Sequence, residues 1–288
     1  MAKINVYELV TERIIDELEK GKIPWEKPWT GTRNGAYSRS TGRAYSLLNQ
    51  MLLRKPGEYL TFNQCKEAGG KVKKGEKSSM VVFWKQVSVD DVDPATGETK
   101  KKMVPMLRYF NVFHIDQCEG IEAKYKPEEV KPFDPIVEAE AILDTYRQRE
   151  GLTIENVAGD RAFYSPSRDY ICLPLQEQFP DPKEYYSTAF HEAVHSTGHV
   201  SRLDRLTRTA SFGSEEYSKE ELVAEIGSAS LMAHLGIESA QTFRNSAAYI
   251  QGWLSALRND PKMIVSASSK AEKAVHYILN GKPEGAAG

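Results

Sequence analysis

The stretch DPKEYYSTAFHEAVHSTGH, Asp181 to His199, holds three of the six histidines of this 288-residue chain and carries the signals of a helix at both ends. Asp181 is placed to cap the N-terminus, Pro182 suits the first helical position, Glu184 completes a capping-box spacing and Gly198 is placed to end the helix. On such a helix His191 and His195, four residues apart, project from one face one turn apart and can chelate one cation. Glu192 follows the first of them, where its carboxylate can serve as general base toward water. The pattern is HExxH, the arrangement of a metal-dependent hydrolase.

A catalytic zinc site needs a third protein ligand and an open position. A histidine ten residues after the first would supply it in one class of such enzymes, but that position is Ser201, and His199 falls two residues short. His199 is therefore expected to play a supporting part. The better source is SKEELVAEIGSASLMAHLG, where Glu221 and Glu225 stand one helical turn apart. This is the gluzincin form: Glu221 as ligand, Glu225 as the carboxylate that orients a ligand histidine through its other ring nitrogen. Ser218 and Glu221 also have capping-box spacing, which would occupy Glu221 locally and leave Glu225 to the metal. A His/His/Glu set suits Zn2+ and tolerates Mn2+.

Composition is that of an ordinary folded protein, 40% apolar and 27% charged, which excludes a disordered chain. Cys65, Cys118 and Cys172 are far apart and form no CxxC pattern, so neither a disulfide framework nor a cysteine-rich zinc site is expected. No apolar run approaches a membrane span, and acids interrupt the first twenty residues where a signal peptide would be apolar; a cytoplasmic protein with no membrane partner is expected.

The periodicities predict an α+β protein of two domains. A helix over residues 4–20 ends at Gly21, KIPWEKPW is extended, and short helices fall in AYSLLNQMLLRKPG and TFNQCKEAGG. SSMVVFWKQVSV predicts a buried strand and VPMLRYFNVFHI its return, a hairpin with a charged loop. The proline-bearing stretch at 123–135 is the expected linker, separating a small mixed α/β domain at 1–122 from a mostly helical one at 136–288. In the latter, RAFYSPSRDYICLP predicts a hairpin turning at SPSRD.

Charge divides the same way. Residues 1–120 hold 20 lysines and arginines against 15 acids, and the rest 18 against 25. Between Lys20 and Lys85 the ratio is 14 to 4, with aromatic rings interleaved. Cations that follow phosphates and rings that stack on unpaired bases together suit single-stranded nucleic acid. The expected contacts are Trp25, Trp29 and Tyr45 as rings, and Arg39, Arg43, Lys71, Lys73, Lys74 and Lys77 as cations. No helix-turn-helix, zinc-finger or RNP motif supports sequence-specific reading.

Taken in order, IPWEKPW, TGRAYSLLNQMLL, YLTFNQCKEAGGKVKKGEK and VVFWK in the first half, and YYSTAFHEAVHSTGHVSRLDR, FGSEEYSKEELVAEIGSA and AAYIQGWLSAL in the second, resemble the ArdC-type antirestriction proteins of conjugative plasmids and related mobile elements. The resemblance implies an N-terminal domain that binds single-stranded DNA and a C-terminal zincin-like metallopeptidase domain, with a protective role for incoming DNA against the recipient's restriction enzymes. The first half is also similar to the DNA-binding part of some plasmid primases. One departure is PWTGTRNGAYSRSTGRAYS, where relatives carry a proline and an asparagine before the tyrosine-rich segment. Two other readings compete: a metallopeptidase whose first half selects a protein substrate, and a primase-accessory DNA-binding protein with a structural metal.

Overall fold

The computed structural model describes residues 5–26, 35–53, 55–92, 99–125, 134–206, 215–237 and 247–282. The first region opens with α1 (Val6–Glu19), capped by Asn5, whose side chain accepts from the Tyr7 amide. Val10, Ile14 and Leu18 form its buried stripe, at the i, i+4, i+8 spacing of one helix face. Pro24–Glu26 makes a 3-10 turn where an extended segment was expected. There follow β1 (Ala36–Ser38), α2 (Leu47–Leu52), β2 (Gly57–Leu60), α3 (Phe62–Glu67), β3 (Lys71–Val72), β4 (Ser79–Val92), β5 (Thr99–His114) and β6 (Cys118–Glu119). α3 begins in a complete capping box between Thr61 and Gln64.

β1, β2, β5 and β4 form one sheet in that order, and β3 pairs with β6. The long β4–β5 pair is the predicted hairpin, in register from Ser79↔Val112 to Val92↔Thr99. Its expected burial holds only at the base. Met80, Val81 and Val82 are buried, whereas Phe83 and Trp84 are 45% and 54% exposed, although Leu107, opposite Trp84 on β5, is still buried.

The second region contains α4 (Pro135–Glu150), β7 (Thr153–Asn156), β8 (Phe163–Ser165), β9 (Tyr170–Leu173), α5 (Pro182–Ser196), α6 (Glu215–His234), α7 (Ala247–Asn259) and α8 (Met263–Asn280). β8 and β9 are the expected hairpin, and β7 joins β9 in parallel, giving the sheet order β7-β9-β8. β8 is thus an edge strand, and Phe163 at its start lies beside α5.

One hydrophobic cluster runs through both regions. It joins Val10, Ile14 and Trp25 of the first to Trp253, Leu257 and Ile264 of the second. The Trp25 and Trp253 rings meet edge-on at 5.1 Å, and the Thr11 hydroxyl donates to the Pro261 carbonyl at 2.7 Å. Each buried apolar side chain at this junction contributes about 1.5–3 kcal/mol, so the regions stabilise one another. Of the expected linker only 123–125 and 134–135 are described, and the first part is fastened down: the Lys124 and Tyr125 amides donate to Glu58. Among the described residues, no helix is long and apolar enough to cross a membrane.

Candidate metal centre and nucleic-acid interface

α5 starts as its sequence dictates, with Asp181 accepting from the Lys183 amide at 2.8 Å and Pro182 at the first position. It ends at Ser196, with Thr197 rather than Gly198 as the C-cap. The chain then folds back and two arginines serve the helix end. Arg202 donates to the Ser196 carbonyl at 2.7 Å, and Arg205 donates to that of Val194, placing cations where the helix dipole is negative.

α6 brings Glu221 to the histidines. His191 Nε2 and His195 Nε2 lie 3.0 Å apart, and the Glu221 carboxylate oxygens lie 3.5 Å from the first and 3.4 Å from the second. Donors ~2.0–2.1 Å from a tetrahedral zinc are ~3.3 Å from one another, so these spacings fit one small cation held by all three. The three offer donors within 4.8 Å of one another. Ser218 sits inside α6, which begins at Glu215, so it is not at the N-cap position that a capping box with Glu221 requires.

The outward ring nitrogens face carboxylates. His191 Nδ1 is 3.4 Å from Glu225 Oε1, and His195 Nδ1 is 3.3 Å from Glu220 Oε1. Glu220 is in turn held by Arg205, with Nη2 at 2.8 Å from Oε1 and Nε at 3.0 Å from Oε2. A carboxylate hydrogen-bonded to Nδ1, as Glu220 is on His195, fixes the tautomer that leaves an Nε2 lone pair for a metal. His191 Nδ1, by contrast, stands at ion-pair distance from Glu225 and makes no hydrogen bond. The Glu220–Arg205 pair is absent from the sequence reading. Its only signal there is the doubled acid of KEELVAE, which tells nothing of which carboxylate turns to which histidine.

The site is strongly anionic for its burial. Burial by itself lowers the His195 pKa, but hydrogen bonds to Glu220 and Glu221 and the charge of Glu192 raise it to about 10. Burial raises Glu221, and the two imidazoles outweigh it, holding the carboxyl far below the usual range. These are the electrostatics of a place that draws positive charge. Glu192 is itself buried at 4% exposure and close enough to act on His195 through its charge.

A cleft of about 490 Å3 opens on His191 and Glu225, walled by Phe163, Phe179, Pro174 and Arg161. His199 is not among the converging donors of the described residues, and its Nδ1 lies 2.8 Å from Ser201 Oγ.

The expected nucleic-acid contacts scatter. Trp25 is 6% exposed and packed on Trp253, so its ring belongs to the core. Tyr45 is 9% exposed, edge-on to Tyr59, with one side against Phe83. Arg39 is engaged by the fully buried Glu58 and by the Glu122 carbonyl at 2.8 Å, a structural tie. Arg43, Lys74 and Lys77 are exposed. Lys71 pairs with Glu119 at 2.9 Å, and Lys73 donates to the Asp116 carbonyl at 2.7 Å. Trp29 lies outside the described residues.

What the sequence reading missed is the outer face of the hairpin. The register sets Phe83 opposite Arg108 and Val81 opposite Phe110, all on one face. Phe83 and Phe110 are each 45% exposed with centroids 6.0 Å apart, and Arg108 and Lys85 beside them are exposed. VVFWK carries no alternation to reveal it, since a run of Val and aromatics is indistinguishable from a strand buried on both faces.

Residues 4–113 match the family model of the N-terminal domain of the anti-restriction factor ArdC, and residues 139–270 match that of a zincin-like metallopeptidase. A DNA primase TraC of Escherichia coli is 38% identical over 95% of this chain, which spans only 20% of that protein's length. Two crystal structures of the antirestriction protein ArdC from plasmid R388, one metal-free and one Mn(II)-bound, superpose with TM-scores of 0.75 and 0.76 at 37% and 34% identity. Each superposition covers 96% of this chain and 98% of theirs. Matched in both regions and almost from end to end, the chain belongs to the ArdC family of antirestriction proteins.

Proposed function

We propose that the chain binds single-stranded DNA without sequence preference on the outer face of the β4–β5 hairpin, shields incoming mobile-element DNA from restriction nucleases, and carries a divalent-metal peptidase centre at His191, His195 and Glu221. The observation that carries the DNA reading is the exposed Phe83–Phe110 pair with Arg108 and Lys85 beside it. Exposed rings cost hydration unless something covers them, and bases freed from pairing are flat partners that a flanking cation tethers by their phosphates.

The donor set suits zinc, and manganese, present in one ArdC crystal structure, is compatible with it. A divalent cation held there supplies Lewis acidity toward a carbonyl and acidifies water. Glu192, next to His191 in sequence, would take a proton from the attacking water and return it to the leaving amine. Glu225 and Glu220 keep the imidazoles aimed. Edge strand β8, whose Phe163 lines the cleft, offers backbone groups to an extended peptide by strand addition, which points to a protein substrate.

The test is fluorescence anisotropy with labelled oligothymidine and a matched duplex. The single strand should bind more tightly, and Phe83→Ala with Phe110→Ala should weaken it by about tenfold or more, since stacking contributes about 1–3 kcal/mol per base. Equal affinity for both DNA forms would overturn the stacking reading.

A further inference from the structure

A second cavity, of about 590 Å3, lies between the hairpin and the metallopeptidase region. Trp84, 54% exposed, and Tyr7 of α1 form its first-region wall, their rings edge-on at 6.3 Å. α8 forms the opposite wall. Lys262, Ser266, Lys270 and Lys273 follow one another by four, four and three residues, one face of a helix, and all four are exposed. Lys219 of α6 also lines the cavity and is neutralised by Asp260 at 3.2 Å. Lys262 stands over the Tyr7 ring at 5.8 Å. The other three lysines of the wall therefore outnumber its acids, opposite an indole left in water.

The hairpin connects this cavity to the Phe83–Phe110 face. Phe83 and Trp84 are consecutive on β4, so they project to opposite faces of the sheet. β4 is also the end strand in the order β1-β2-β5-β4. Asn49 of α2 closes that edge at Val82, bonding its amide and its carbonyl. A flexible single strand lying on Phe83 need only turn round the edge beyond Val82 to reach Trp84, whereas a stiff duplex cannot make such a turn.

We infer that the cavity is a second single-stranded DNA subsite, in which a base stacks on Trp84 and the phosphates that follow it lie on Lys262, Lys270 and Lys273. The inference rests on the reading of the hairpin as a DNA face. Its consequence is that the metallopeptidase region itself holds DNA, and the strand crosses from one region to the other.

The experiment uses the full chain and labelled oligothymidine at several salt concentrations. Each lysine–phosphate contact on a single strand adds about 0.7 to the slope of log affinity against log salt. Lys262→Gln, Lys270→Gln and Lys273→Gln combined should weaken binding by about tenfold and reduce the slope by about 2. Trp84→Ala should weaken binding by about fivefold or more, and Trp84→Phe should restore most of it. Unchanged affinity and slope in the triple variant, in a full chain that binds single strands, would overturn this subsite and leave the hairpin face standing. A full chain that binds no single strand overturns both.

Discussion

Gly227 of α6 lies so close to Val194 of α5 that a methyl group on it would stand 2.8 Å from Val194 Cγ2. The absence of a side chain there lets the two helices that carry His191, His195 and Glu221 approach closely. Two and six residues before Gly227 on α6, Glu225 and Glu221 face the histidines of α5, and Ser228 donates to the Ser187 carbonyl at 2.7 Å, fastening the other side. Gly227→Ala should therefore push Glu221 away from the imidazoles. The expected cost is about 1–3 kcal/mol in stability, together with weaker metal binding in a chelator competition. Unaltered metal affinity would show that α6 shifts along its axis without opening the site.

Glu220 holds His195 from behind, and Arg205 holds Glu220. Glu220→Gln should retain the metal with affinity reduced by about ten- to a hundredfold, the usual cost of losing a carboxylate behind a ligand histidine. His191→Ala and His195→Ala should lose it altogether. Elemental analysis of the purified variants distinguishes them, and equal loss in all three would make Glu220 a ligand.

How far the sequence discloses this molecule depends on the range of each signal. α1, α4 and α5 are legible because their caps lie within a few residues of their ends: Asn5, Asp134 with Pro135, Asp181 with Pro182. The strands β1, β3, β6 and β7 are two to four residues long, too short for alternation to register. At the site, i, i+4 spacing places His191 beside His195, and the same rule places Glu221 and Glu225 on one face. Which acid reaches which nitrogen is set by the angle between α5 and α6, a tertiary quantity with no local signature. Trp25 shows the opposite limit. A tryptophan in a basic, proline-rich segment resembles a stacking platform until Trp253, 228 positions later, is found against it.

Arg39 also changes meaning in the fold. In the sequence it is one cation of a basic run; in the structure it neutralises Glu58, which is wholly buried beneath it. Arg39→Ala leaves that carboxylate without its cation, a loss of about 3–5 kcal/mol. The melting temperature should fall by roughly 10 °C or more. Oligothymidine affinity, measured well below the transition, should change far less than with Phe83→Ala. A variant of unchanged melting temperature that binds DNA poorly would return Arg39 to the DNA face.

Glu192 separates binding from chemistry. It follows a ligand in sequence and is buried beside His195, yet the three donors that converge are His191, His195 and Glu221. Glu192→Gln should therefore keep the metal. It should also keep DNA affinity, because Phe83, Phe110 and Trp84 stand on the hairpin, outside the metal cluster. Peptidase turnover of any substrate found should fall by about a hundredfold or more, the scale of losing a positioned proton acceptor. Protection can then be measured directly, by challenging single-stranded and duplex DNA with a restriction nuclease in the presence of each protein. Coating DNA breaks no bond, so the variant should protect as the unsubstituted chain does, while Phe83→Ala with Phe110→Ala should not. If Glu192→Gln loses protection with metal content and DNA binding intact, cleavage of a protein is the step that defeats restriction, and the DNA face serves to bring the peptidase to its target.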